Sequence, residues 1–249
     1  LHAAKDLPPE PTSVYAQEGT RAHEYAERIL RAWIDRGRPK SFPGYSDLRD
    51  LFPGSEHEEA FSPQGDVGSG FSMLDYVMTY VNLCMDEAEV FDPPGPAIRI
   101  EQRLVLDEGM GMFGTADFLA TGTMRGKAVG VIVDLKYGKG KKVKTENNPQ
   151  LAYYAVALLK SSKKPLEEIK VRVVQPRIDE FYSERWYTRR ELKAWEEQFI
   201  LGAENALWQL QGSRPRFLLE GPWCFFCPAR KVCPELEKKR LEKAGRLFG

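Results

Sequence analysis

Apolar and polar positions recur along this chain with two periods, and the change from one to the other marks out its elements. Between residues 71 and 90, Leu74, Val77/Met78, Val81, Cys84/Met85 and Ala88 return at helical spacing and predict an amphipathic helix with Cys84 facing inward. An earlier helix is expected from Thr20, its N-cap, to Asp35, with Gly37 and Pro39 as stop signals. The period then shortens. Strands are predicted at 97–107, 112–121 and 127–137, the first as a half-exposed antiparallel strand in which Ile98/Ile100 and Leu104/Leu106 alternate with polar neighbours. Residues 107–111 and 121–126 supply the turns. The third strand is apolar on both faces from Ala128 to Val133, which predicts a central position. Asn148 and Pro149 then open a helix with the stripe Leu151, Ala155, Leu158 and Leu159. A strand at 169–175, an edge strand at 184–188 and a long amphipathic helix at 188–211 follow. In that last helix Leu192, Trp195, Phe199 and Leu207 are the inward candidates. The order α, β-β-β, α, β predicts an α+β fold.

One segment lacks either period. Residues 41–70 are rich in Pro, Gly, Ser and acids and are expected to be a loop-rich insert, either a flap or a surface excursion, with His57 in solvent. At 249 residues, 42% of them hydrophobic and 29% charged, the chain suits one soluble domain spanning 1–249, with 212–249 as a tail. No apolar run approaches the roughly 18–20 residues of a membrane span, and no signal-peptide pattern opens the chain. With 36 acids against 36 bases the net charge is zero, which excludes an overall basic coat but leaves room for a local basic groove. The best local patch is the run Lys136, Lys139, Lys141, Lys142 and Lys144, whose glycines give phosphates access to the backbone. A solvated loop is the plain alternative for that run.

Asp134 and Lys136 lie two apart at the end of the apolar third strand, so their side chains share one face. Asp117, in Gly114-Thr-Ala-Asp117, belongs to the strand before it. Two carboxylates and a lysine converging on one sheet suit a divalent ion and an activated water. The plain alternative for the acid–lysine pair is a surface ion pair of little energetic consequence. Gln150 and Tyr154 are four apart and share a helix face, which by itself also describes an ordinary surface pair. Glu101 either assists the metal acids or pairs with Arg103.

In order, His23, Gly114/Asp117, Asp134/Lys136 and Gln150/Tyr154 resemble the four motifs of the RecB-like branch of the PD-(D/E)xK nuclease superfamily. The resemblance spans most of the chain. It implies a restriction-endonuclease-like core and a metal-dependent DNA nuclease, as an exonuclease of phage or prophage recombination working beside a single-strand annealing recombinase. Carried onto these positions, it makes His23, Asp117, Asp134 and the Leu135 carbonyl ligands of Mg²⁺ or Mn²⁺. Lys136 becomes the group that orients the attacking water, and Gln150 and Tyr154 hold the strand or a base edge. A second reading from another class keeps the fold as a non-catalytic DNA-binding or structural subunit. A third is a zinc- or cluster-based regulatory protein with a coincidental acid-x-lysine.

Cys224, Cys227 and Cys233 form a C-x2-C-x5-C cluster, and Cys84 is the one other cysteine. Such thiols bind zinc or an iron–sulfur cluster and indicate a reducing compartment, the cytoplasm. The x5 gap is long for a zinc ribbon. The family resemblance implies three ligands of a [4Fe–4S] cluster, with the fourth usually upstream of the motif histidine. Here Cys84 follows His23, so either Cys84 is the fourth ligand or it is a packing thiol and the fourth lies upstream.

Overall fold

The structure, a computed structural model, describes residues 13–40, 45–62, 70–179, 182–212, 221, 224 and 227–248. The first helix, α1 (Val14–Asp35), begins earlier than its expected cap. The Thr20 hydroxyl donates back to the Ala16 carbonyl at 3.1 Å, the bond of a residue inside a helix, and so it caps nothing. The end is as expected: Gly37 and Arg38 turn left-handed, with φ of 79° and 60°.

The insert is not a loop over its described part. It folds into α2 (Tyr45–Leu51), a turn of 3-10 helix (Ser55–His57) and α3 (Glu58–Phe61). Leu48, Phe52, Ala60 and Phe61 are buried. His57 is not left in solvent: its Nδ1 lies 3.0 Å from the Tyr25 hydroxyl and its ring 5.6 Å from that of Phe52. Prolines and acids dominate the composition here, but a few well-placed apolar side chains are enough to dock the segment on α1. The next helix, α4 (Met73–Glu89), carries a capping box in which Ser72 and Asp75 bond each other's backbone, and its predicted stripe is buried.

The sheet runs β1 (Ala97–Asp107), β2 (Met112–Met124), β3 (Lys127–Leu135), β4 (Glu168–Val174) and β5 (Tyr182–Thr188), in that spatial order. Only β3 and β4 are parallel, and α5 (Pro149–Ser161) crosses between them. β2 runs past residue 121 because its turn is just Arg125-Gly126, with φ of 52° and 78°, a two-residue hairpin held by Asp92 through both amides. The long helix α6 (Arg189–Leu210) follows β5. This is an α+β architecture, a five-stranded mixed sheet flanked by helices, consistent with a restriction-endonuclease-like core.

Two hydrophobic layers sandwich the sheet. Apolar side chains of α1 and α4 meet Ile100, Phe118, Val131 and Val133 in one, while α5 meets Leu104, Ala116, Leu119 and Ile132 in the other. Ile100 and Leu104 have the same parity yet enter different layers, as do Ala116 and Phe118. Between them the ladder is broken where Glu101 would pair with Asp117, and Glu101 takes φ 49°. The left-handed residue reverses the alternation of side chains, so β1 does not keep the single buried face its pattern predicts. Residues 14–200 form one compact unit containing the sheet and both layers. Leu201–Gly249 belongs to a second, which includes the tail cysteines and α7 (Pro234–Phe248), a helix not anticipated from the sequence.

Candidate metal centre

Four elements, α1, β2, β3 and α5, carry the predicted residues. α1 carries His23, whose Nδ1 lies 3.4 Å from Asp117 Oδ1 and 3.8 Å from Glu101 Oε1. Among the described residues this trio is the one group of three or more His, Cys, Asp or Glu side chains able to converge on an ion, with ligand atoms all within 4.8 Å of one another. Asp117 is fixed from its other side, since Oδ2 accepts the Leu135 amide at 2.7 Å. Leu135 thus enters the site through its N–H, which aims the carboxylate. Phe118 pairs with Val133, so Asp117 and Asp134 follow one step along the same ladder.

Asp134 is 2% exposed, and its Oδ2 lies 2.7 Å from Lys136 Nζ. This is a close, buried ion pair in which the lysine ammonium offsets the carboxylate charge. Burial and then the neighbouring Asp117 push the Asp134 carboxyl up to about 6, against the pull of Lys136 and His23. Burial lowers His23, but the bonds to Asp117 and Glu101 outweigh it and raise the imidazole to about 10. Lys136 is also raised, because Asp134 outweighs its burial. Without an ion the site therefore holds its negative charge against protons on His23 and Lys136. An imidazole nitrogen among carboxylate oxygens fits Mn²⁺ or Mg²⁺, with nitrogen favouring Mn²⁺.

Gln150 and Tyr154 bond each other, the Gln150 amide donating to the Tyr154 hydroxyl at 3.0 Å. Tyr154 is 8% exposed, and burial followed by the Asp134 and Asp117 charges raises its phenol while the Gln150 bond lowers it. A Cβ on Gly114 would stand 2.8 Å from Tyr154 Cε1, so the glycine of the second motif makes room for the tyrosine of the fourth.

Glu101 was the residue that sequence reasoning underweighted. It faces His23, while Arg103 turns instead to Glu108 at 3.4 Å and to the Phe113 ring at 4.3 Å. The register of β1 on β2, with Ile100 opposite Phe118 and Gln102 opposite Ala116, sets Glu101 across from Asp117, and a register shift between Val105 and Asp107 hides this from a count made at the turn.

The cysteines fall in both units. Cys84 is fully buried on α4, and burial, more than its partial offset by Tyr80, raises its thiol well above the usual range. These are the surroundings of a packing thiol. In the tail, the Cys227 amide closes on the Cys224 carbonyl at 3.3 Å and the Gly221 amide donates to Cys224 Sγ at 3.5 Å. A tight turn and an N–H directed at sulfur suit metal-bound thiolates. Trp223, Phe225 and Phe226 lie outside the described residues.

A family model described as "Protein of unknown function (DUF2800)" matches residues 2–248. Among solved structures, the chain is similar to a "putative exonuclease" from Eubacterium rectale, at 12% identity and a TM-score of 0.39, covering 86% of this chain and 79% of that one. It is also similar to SSO0001, at 13% identity and a TM-score of 0.32, covering 94% and 93%. Likenesses this distant carry no argument about activity, which rests on the site itself.

Proposed function

The chain belongs to the DUF2800 family, and we propose that it is a divalent-metal-dependent deoxyribonuclease, acting as an exonuclease. The observation that carries this reading is the convergence of His23, Glu101 and Asp117 beside the buried Asp134–Lys136 pair. His23, Glu101, Asp117 and Asp134 would hold Mg²⁺ or Mn²⁺, with the Leu135 carbonyl as a further oxygen. When bound, the ion supplies Lewis-acid charge at the scissile phosphate and makes water acidic enough to attack near neutral pH.

The protein's own groups do the rest. The Leu135 amide aims Asp117, and Asp134 anchors the Lys136 ammonium at 2.7 Å. That ammonium binds a phosphate oxygen and orients the attacking water, stabilising charge that grows in the transition state. Gln150 keeps the Tyr154 hydroxyl fixed against the same face, where it holds the strand.

Cys224, Cys227 and Cys233 would supply three ligands of a [4Fe–4S] cluster in this reading, and zinc is the less favoured occupant. The setting is the cytoplasm, in phage or prophage recombination beside a strand-annealing protein. That setting rests on the resemblance of the motifs. Among the described residues no helix is long and apolar enough to cross a membrane.

Linear and closed circular DNA, incubated with Mg²⁺, with Mn²⁺ or with EDTA, test the proposal. Metal-dependent loss of linear DNA is expected, falling on the order of 10²-fold or more in Asp117→Asn, Asp134→Asn and Lys136→Met. Binding without cleavage in either metal would overturn it in favour of a non-catalytic DNA-binding subunit.

A further inference from the structure

The segment joining Lys136 to α5 carries exposed Lys139, Lys141 and Lys144, and its backbone is tied down along its length. Gln175, one residue beyond β4 and 4% exposed, serves as the tie. Its Nε2 donates to the Gly138 carbonyl at 2.7 Å and to the Lys141 carbonyl at 3.3 Å, while its Oε1 accepts the Val143 amide at 3.0 Å. Thr145, fully buried, closes the far end with its amide 3.2 Å and its hydroxyl 2.9 Å from Ser183 Oγ. Asn148, the α5 cap, donates to the Lys144 carbonyl at 3.0 Å. The inner polar groups are engaged, and the lysines face solvent.

Gly138 and Gly140 sharpen the point. Neither has a left-handed φ, and a Cβ on either would meet nothing within 4 Å. The fold itself therefore gives no reason for glycine at these positions. Open space beside a backbone that carries no side chain, flanked by lysines, is what an anion needs for close approach. The segment starts at Lys136 and leads into Gln150, so both its ends belong to the candidate site.

We propose that residues 138–144 form a preformed strap that grips the phosphate backbone of DNA without regard to sequence and presents it to Lys136, with Gln175 as the positioning residue. The proposal deepens, and rests on, the nuclease reading. Lysines and backbone amides read phosphates and carry no base code. With zero net charge on the whole chain, attraction to a polyanion has to come from such a local concentration of cations. Holding the strap in place before binding removes the ordering cost that a free loop would incur on DNA.

Anisotropy of labelled oligonucleotides, single-stranded and duplex and of several sequences, would be followed in EDTA across a salt series, so that binding is read apart from cleavage. Lys141→Gln and Lys144→Gln should each reduce the slope of log K against log salt, by about 0.7 on single strands or about 0.9 on duplex per lost phosphate contact. Gln175→Leu should weaken affinity several-fold with the slope retained, because the same lysines remain on a loosened support. Gly140→Ala, which meets no neighbour inside the fold, should weaken affinity several-fold at an unchanged melting temperature, and it decides the matter should Gln175→Leu fail to fold. Unchanged slopes in both lysine variants, or a strong preference among sequences, would overturn the strap. Cleavage with unaltered slopes refutes the strap alone, and the expected slopes without any cleavage refute the nuclease reading alone.

Discussion

Gly114→Ala is a one-carbon change whose cost can be worked from the structure. The new Cβ would lie 2.8 Å from Tyr154 Cε1 and 3.6 Å from Tyr153 Cε1. Carbon atoms prefer about 3.5–4.0 Å, so the Tyr154 ring must retreat by about 1 Å. It has little room, being buried on a helix packed against the sheet. Overpacking of this kind costs about 1–3 kcal/mol. Loss of glycine freedom in the unfolded chain returns about 0.4–1 kcal/mol, because the strand conformation at position 114 suits alanine. A net destabilisation of about 1–2 kcal/mol lowers the melting temperature of a chain this size by roughly 2–8 °C. The retreat also pulls the phenol from Gln150, so nuclease activity should fall further than stability does. Urea denaturation of Gly114→Ala, Tyr154→Leu and the double variant forms the assay. The alanine should be nearly harmless once the ring is gone. An unchanged or raised midpoint in the single variant, or full additivity in the double, would refute the reasoning.

Binding of Mn²⁺ at neutral pH should release protons, because the ion-free His23 titrates near 10 and must give up its proton to bind a metal. Calorimetry in buffers of different ionisation enthalpy reads the release, and His23→Gln should diminish it; no difference between the two proteins would remove His23 from the ligand set. Glu87 is 3% exposed between Lys170 at 2.8 Å and Arg172 at 2.9 Å, so Glu87→Leu leaves two largely buried cations with Glu184 as the acid that still pairs with both. A loss of about 3 kcal/mol is expected in chemical denaturation, and a loss near zero would show the network to be neutral. Serine at Cys224, Cys227 or Cys233 should bleach iron absorbance and lower the melting temperature, whereas Cys84→Ser should leave iron content intact; the reverse pattern would make Cys84 a ligand.

Much of this site was legible because it depends on local periodicity. Asp134 and Lys136 share a strand face whatever surrounds them, and the apolar run before them gave β3 its central place. The α4 stripe was readable for the same reason. What escaped depends on distant partners. Glu101 matters through the register that sets it opposite Asp117. Gln175 matters through three backbone groups more than thirty residues earlier in the chain. Thr20 looks like a cap until the helix is known to start before it. In the insert, Phe52 and Phe61 were outvoted by prolines and acids that packing does not count. α7 is amphipathic, but its few apolar positions, such as Leu241, Ala244 and Leu247, are thinly spread among charges in a tail that reads as a cysteine segment.

The break in the β1–β2 ladder has a consequence for how the protein fails. A left-handed conformation at Glu101 costs on the order of 1–3 kcal/mol, and it persists because packing above and below the sheet enforces it. The two acids at the break stand on the seam where one oily layer ends and the other begins. Neither layer can loosen by itself without releasing that twist and scattering the carboxylates. If the proposed nuclease reading holds, heating should extinguish cleavage as soon as either layer of the 14–200 unit yields, and leave no species with one layer folded that still cuts.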